Sequence, residues 1–236
     1  MPQPTQPTSA LVLLGGEPIE ELPVGIDASS MLVVAADSGV DQAHRLGLRV
    51  DVAVGDFDSV TPDGLARAVE AGSVVERHPA RKAHTDLELA LDAVAVRDLV
   101  RVDVAGGDGG RLDHLLANAL VMASDRFAGL DVTAHGGDGA RLHVVRRRRT
   151  LSGDPGEYVT LLAVHGPADG VRTEGLLYPL HGERLEPGSS RGVSNELVGR
   201  AGVVELDVGV LLVVMPGPWA RPGAPADPPT GRTTTR

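Results

Sequence analysis

The sequence predicts an α/β fold class in two parts: a parallel-sheet α/β domain over residues 10–140, then an all-β domain over residues 141–216. Three observations carry this. From Ala10 to Ala134, short Val-, Leu- and Ala-rich runs alternate with helical patterns, the signature of a parallel sheet covered on both faces. After Gly139 the runs are strand-like, with Gly, Pro and Ser between them and no useful helical periodicity, as in all-β architectures. Glycines and charges collect directly after each early strand run, where open parallel sheets keep their ligands.

The strand runs of the first part are "ALVLL", "MLVVAA", "VDVAV", "SVVERH", "LVRVDVA" and "LDVTA". Three helices stand out between them. Thr61-Pro62 supplies an N-cap and an N1 proline, and Gly72 closes that segment. Thr85 to Glu88 has the form of a capping box, after which Leu87, Ala90, Leu91, Val94 and Ala95 recur at helical spacing. "DHLLANALVMASDRF" is the third helix. In the second part, "RLHVV", "GEYVTLLAV", "GVRTEGLLYPL" and "AGVVELDVGVLLVVMP" read as strands. The boundary is placed near the run Arg146 to Arg149, read as a solvated strand end or linker. Residues 1–9 and 217–236, rich in Pro, Gly and Thr, are expected to be disordered tails.

Composition narrows the function. Asp plus Glu number 32 against 22 Lys plus Arg, a net charge of −10, which disfavours nucleic acid as a partner. Aromatic residues make up 2% of the chain, too few for base-stacking platforms. There is no cysteine, so disulfides, thiolate metal sites and thiol nucleophiles drop out. No apolar run reaches the roughly 18–20 residues that span a bilayer, and "MPQPTQPTSA" lacks the features of a signal peptide. The expectation is a soluble, unprocessed cytoplasmic protein with no membrane partner.

A census of strand ends locates the chemistry. Gly15-Gly16 follow the first strand, "DSG" (Asp37 to Gly39) the second and "GDFDS" (Gly55 to Ser59) the third. "PARKAHTD", with Lys82, Thr85 and Asp86, follows the fourth, and "GGDGGRLDH", with Arg111, Asp113 and His114, the fifth. Asp37, Asp56, Asp58, Asp86 and Asp113 at one rim would raise each other's pKa values unless a cation compensated. Magnesium suits a hard oxygen set that it shares with substrate phosphates. Lys82 offers phosphate a point charge, Arg111 a fork. The paired carboxylates of "GDFDS" therefore read as a metal platform for a polyphosphate. No Walker A sequence or G-x-G-x-x-G fingerprint is present.

"ADSG", "GDFDS", "K-x-x-TDLELAL" and "GGRLDH", followed by "T-x-GLLYPL" and "GVSNE", resemble the thiamine pyrophosphokinase (thiamine diphosphokinase) family in identity and order. The resemblance implies a Rossmann-like α/β domain binding ATP and magnesium, a C-terminal β-sandwich, and a homodimer with thiamine held between domains of two subunits. It implies that Asp56, Asp58 and Asp86 hold magnesium, with Asp37 close by. Lys82, Arg111 and Asp113 would contact ATP or orient its phosphates, with Asp37, Gly39, Thr85 and His114 also in the ATP-binding set. Tyr178, Ser194 and Asn195 would lie near thiamine. The implied reaction transfers pyrophosphate from ATP to the hydroxyethyl oxygen of thiamine, Asp56, Asp58, Asp86 and Asp113 forming the catalytic set. Either Asp113 or Asp86 is the candidate proton acceptor. The alternatives are a pyrophosphokinase for another alcohol, such as a pterin, and an inactive nucleotide- or thiamine-binding homologue. One departure stands out: the family often has K-D-x-T-D, whereas this chain has Ala83 after Lys82. Water or His84 fills that place, or the site is weaker.

Overall fold

The computed structural model describes residues 7–79, 84–107, 111–137 and 139–217. Six strands come first: β1 (Ser9–Leu13), β2 (Leu32–Ala36), β3 (Val52–Gly55), β4 (Val74–Arg77), β5 (Arg101–Ala105) and β6 (Asp131–His135). They pair in parallel in the order β6-β5-β1-β2-β3-β4. All six expected runs of the first part are strands. β1 begins at Ser9, inside the stretch read as a tail; most of both predicted tails lies outside the described residues.

The helices are α1 (Gly39–Arg45), α2 (Pro62–Glu70), α3 (Asp86–Ala95) and α4 (Leu112–Met122). Alternation of side chains along a strand sends neighbours to opposite faces, and here both faces are apolar. Val12, Val34, Val54 and Val104 pack with Leu87, Leu91 and Val94 of α3. Leu11, Leu13, Val33, Ala35 and Ala53 pack with Val40 and Ala43 of α1 and Ala68 of α2. α1 is the helix the sequence did not set apart. The expected helix through Phe127 ends instead at Met122, and a short 3-10 turn covers Asp125–Phe127. After β4 the chain crosses to the far side of β1 to lay down β5, so the strand order reverses at the β1/β5 boundary.

The second half extends the same sheet. β7 (Arg141–Val145) runs antiparallel to β6, and β14 (Leu211–Met215), β9 (Tyr158–Ala163) and the two-residue β12 (Asn195–Glu196) follow outward, making ten strands. β8 (Arg148–Ser152), β10 (Ala168–Glu174), β11 (His181–Leu185) and β13 (Ala201–Glu205) form a separate four-stranded sheet. Val145, Leu151, Val159, Leu161, Val171, Val204, Leu211 and Val213 make the core between the two sheets. Thr133 pairs with His143 and Ala134 with Leu142, so the sheet runs unbroken past residues 140 and 141. The arginine run forms the link from β7 to β8, and every member finds a partner. Arg146 donates to the Ala123 and Ser124 carbonyls at 2.7 and 2.6 Å, Arg147 to the Asp207 carbonyl, Arg148 to Glu205 and Arg149 to Asp131. Its expected reading as a strand end holds. No helix among the described residues is long and apolar enough to cross a membrane.

Candidate active site

β2 and β3 end side by side, and each runs into acid. The Asp37 N–H donates to the Val54 carbonyl at 2.9 Å, which carries sheet pairing one residue past β2 and sets Asp37 beside the exit of β3. Asp37 (φ 48°) and Phe57 (φ 63°) both hold left-handed backbone. That conformation costs a non-glycine residue about 1–3 kcal/mol and persists where the surroundings over-determine it. Phe57 is buried and the Arg77 guanidinium lies 5.0 Å from its ring centre. Asp56 and Asp58 flank that inward ring. Their carboxylates and that of Asp37 offer oxygens that all lie within 4.8 Å of one another.

This trio is electrostatically uncomfortable. Burial pushes the Asp37 carboxyl above its usual range, and Asp86, Asp56 and Asp58 add repulsion, while the Ser38 N–H pulls it partly back. Asp37 Oδ1 is buried without a hydrogen-bond partner. An orphaned buried carboxylate oxygen facing two more carboxylates is the donor set of a hard divalent cation, so the residues present fit magnesium. Asp86, at the first turn of α3, acts on Asp37 more strongly than either loop aspartate, but the convergent trio among the described residues contains Asp37 rather than Asp86.

The other expected positions are distributed as follows. Gly39 opens α1, and a Cβ there would lie 2.1 Å from the Leu13 carbonyl oxygen, so only glycine lets this helix seat on the end of β1. Thr85 caps α3, its hydroxyl accepting the Glu88 N–H at 3.2 Å. His84 pairs with Glu88 at 2.9 Å. Lys82 and Ala83 lie outside the described residues. Arg111 grips Asp113 with two bonds, Nε to Oδ1 at 3.1 Å and Nη2 to Oδ2 at 2.6 Å. That grip holds the Asp113 carboxyl down to about 2, which makes it a weak proton acceptor. His114 is exposed in the first turn of α4.

Tyr178, Ser194 and Asn195 form a second group at the outer edge of the large sheet. Asn195 is buried; its Oδ1 accepts the Tyr178 N–H at 2.9 Å and its Nδ2 donates to the Tyr178 carbonyl at 2.7 Å. The latch leaves the Tyr178 side chain projecting, 57% exposed. Ser194 holds left-handed backbone (φ 58°). β12, which begins at Asn195, stands seven strand positions from β2, roughly 30 Å along the sheet. Sequence reasoning missed Asp41 and Arg77, which hold the loop between β3 and α2 (below); their signal lies in contacts between distant segments.

Fold and site together define an α/β protein with an acidic, cation-ready rim at the carboxyl ends of its parallel strands. The models of two families match the chain: "Thiamin pyrophosphokinase, catalytic domain" over residues 26–134 and "Thiamin pyrophosphokinase, vitamin B1 binding domain" over residues 142–211. A thiamine pyrophosphokinase from Bacillus subtilis is 24% identical over 215 residues, covering 86% of this chain and 96% of that protein. A solved thiamine pyrophosphokinase from the same organism has a TM-score of 0.76 at 23% identity, covering 89% of this chain and 99% of that one. One from Geobacillus thermodenitrificans has a TM-score of 0.73 at 27% identity, with the same coverage of 89% and 99%. The chain belongs to the thiamin pyrophosphokinase family.

Proposed function

We propose that this chain transfers the pyrophosphoryl group of ATP to thiamine. The thiamine hydroxyethyl oxygen attacks the β-phosphorus, the bond from that phosphorus to the oxygen bridging it to the α-phosphorus breaks, AMP leaves and the hydroxyl proton is released. The observation that carries the reading is the carboxylate trio with its orphaned Asp37 oxygen, at the rim of a chain matched by both family models. Asp56 and Asp58, with Asp37 and Asp86, would hold magnesium, which would neutralise charge on the phosphate oxygens. Transfer of this kind asks the protein mainly for in-line positioning and charge compensation. Arg111, oriented by Asp113, and Lys82 would draw the phosphates into line, with Gly39, Thr85 and His114 nearby. Arg111 keeps Asp113 ionised and weakly basic, which argues against Asp113 as the proton acceptor.

The finer architecture follows the same reading: a Rossmann-like first half for the nucleotide and a β-sandwich second half for thiamine, with Tyr178 and Ser194 facing the acceptor. The trio and the Tyr178 group stand too far apart along one sheet to share a substrate. The active site is therefore built between two copies, nucleotide half against acceptor half. Leu112, Leu115, Leu116 and Leu120 form an exposed apolar stripe on α4, beside Arg111 and Asp113, and this stripe supports a homodimer. Incubation with ATP, magnesium and thiamine tests the reaction: AMP and thiamine diphosphate form together and only when thiamine is present. AMP formed only with a pterin alcohol, or nucleotide bound with no AMP, would overturn it.

A further inference from the structure

We propose that Asp41 and Arg77 are positioning residues that set the spacing of the acidic trio, an assignment that rests on the cation reading above. The loop carrying Asp56 and Asp58 leaves β3 and enters α2 at Thr61. Each end of it is gripped by a charged side chain from elsewhere. At the near end Arg77 Nη1 donates to the Asp56 carbonyl at 3.0 Å, its guanidinium stacked over Phe57. At the far end Asp41 accepts both the Thr61 N–H, at 2.9 Å, and the Thr61 hydroxyl, at 2.7 Å. The fit there is close, since a Cβ on Gly64 would lie 2.1 Å from Asp41 Oδ1. Both Asp41 oxygens are thus engaged by Thr61, and Asp41 is not one of the three carboxylates that converge at the rim.

The arrangement matters because Asp41 stands in α1, four positions after Asp37. Through it, the acid at the end of β2 and the loop after β3 are tied to one rigid element. Repulsion among three carboxylates would otherwise relax by swinging the exposed Asp58 outward, and bonds to charged partners are the stronger kind that resist this. Groups that orient metal ligands typically change metal affinity 10–100-fold when removed.

The test is Mn2+ titration of the full chain, read by electron paramagnetic resonance, beside thermal unfolding. Asp41→Asn and Arg77→Gln each weaken Mn2+ binding by about tenfold or more. Thr61→Val weakens it as well, and Thr61→Ser, which keeps both bonds to Asp41, binds as the parent does; this pair carries the test if Asp41→Asn fails to fold. Ser73→Ala, which removes a 2.7 Å bond to the Val50 carbonyl at the opposite end of α2, lowers the unfolding temperature and leaves Mn2+ affinity unchanged. Parental Mn2+ affinity in Asp41→Asn and Thr61→Val, with only the unfolding temperature lowered, would overturn the proposal. A parent chain that binds no Mn2+ would instead overturn the cation reading, and the proposal with it.

Discussion

Asp37 is held in a state that its surroundings oppose: half-buried, left-handed at the backbone, with one oxygen unpartnered and its carboxyl pushed upward by burial and by three neighbouring acids. In the proposed cation site such a residue trades stability for function. Asp37→Asn should raise the unfolding temperature of the metal-free chain while lowering kcat/KM by a hundredfold or so, on the order of 3 kcal/mol of transition-state stabilisation. Calorimetry and an AMP assay check both halves, and a variant less stable than its parent would refute the first. His143 makes the opposite case. Buried beside Arg149, Arg141 and His135, it is kept neutral, its pKa lowered from 6.5 to about 3, chiefly by burial. The unfolded chain takes up a proton below about 6.5 that the folded chain refuses. Stability therefore falls as pH drops from 6.5 toward 3 and is flat above that window as far as this group is concerned. In His143→Gln the slope of urea-unfolding free energy against pH should flatten between pH 6.5 and 4. At this scale the gathering of the "GDFDS" acids at the rim was legible, because both follow directly on a buried strand whose end opens there. Asp41 and Arg77 were not, since each acts on a residue 20 or 21 positions away.

Helix caps were the most readable elements. Thr61 and Thr85 both accept the N–H three residues on, as their sequences predict. Thr85 can thus be tested as a cap separately from any contact with nucleotide. Thr85→Ala should cost about 1 kcal/mol in urea unfolding and Thr85→Asn close to nothing; equal losses in both would remove the capping role. α1 escaped notice because its seven residues start at a glycine whose value lies in contact with β1. β8 and β11 were illegible for another reason. Each buries a single residue, Leu151 and Leu185, so neither shows the alternation from which strands are recognised. The change of texture after Gly139 did mark a change from helix-covered to sheet-covered layers, yet it gave no sign that one sheet would pass through both.

For the whole molecule, the proposed placing of the active site between two copies makes a prediction that no single chain could satisfy. Asp56→Asn and Tyr178→Ala, each inactive or nearly so by itself, should regain about a quarter of parental activity when co-expressed, since half the dimers are then mixed and carry one intact site of two. No recovery would place both groups in one subunit's site. Leu116→Glu, on the exposed stripe of α4, should shift the chain to a monomer by light scattering and abolish turnover while leaving its circular dichroism unchanged. The ten-stranded sheet has a last consequence. A ladder that runs from one edge of the molecule to the other leaves no joint about which the halves could fold together, so opening and closing must fall to the short segments at the rim. Substrate exchange in this enzyme should then leave its small-angle scattering profile untouched, the moving parts being too small to alter the outline.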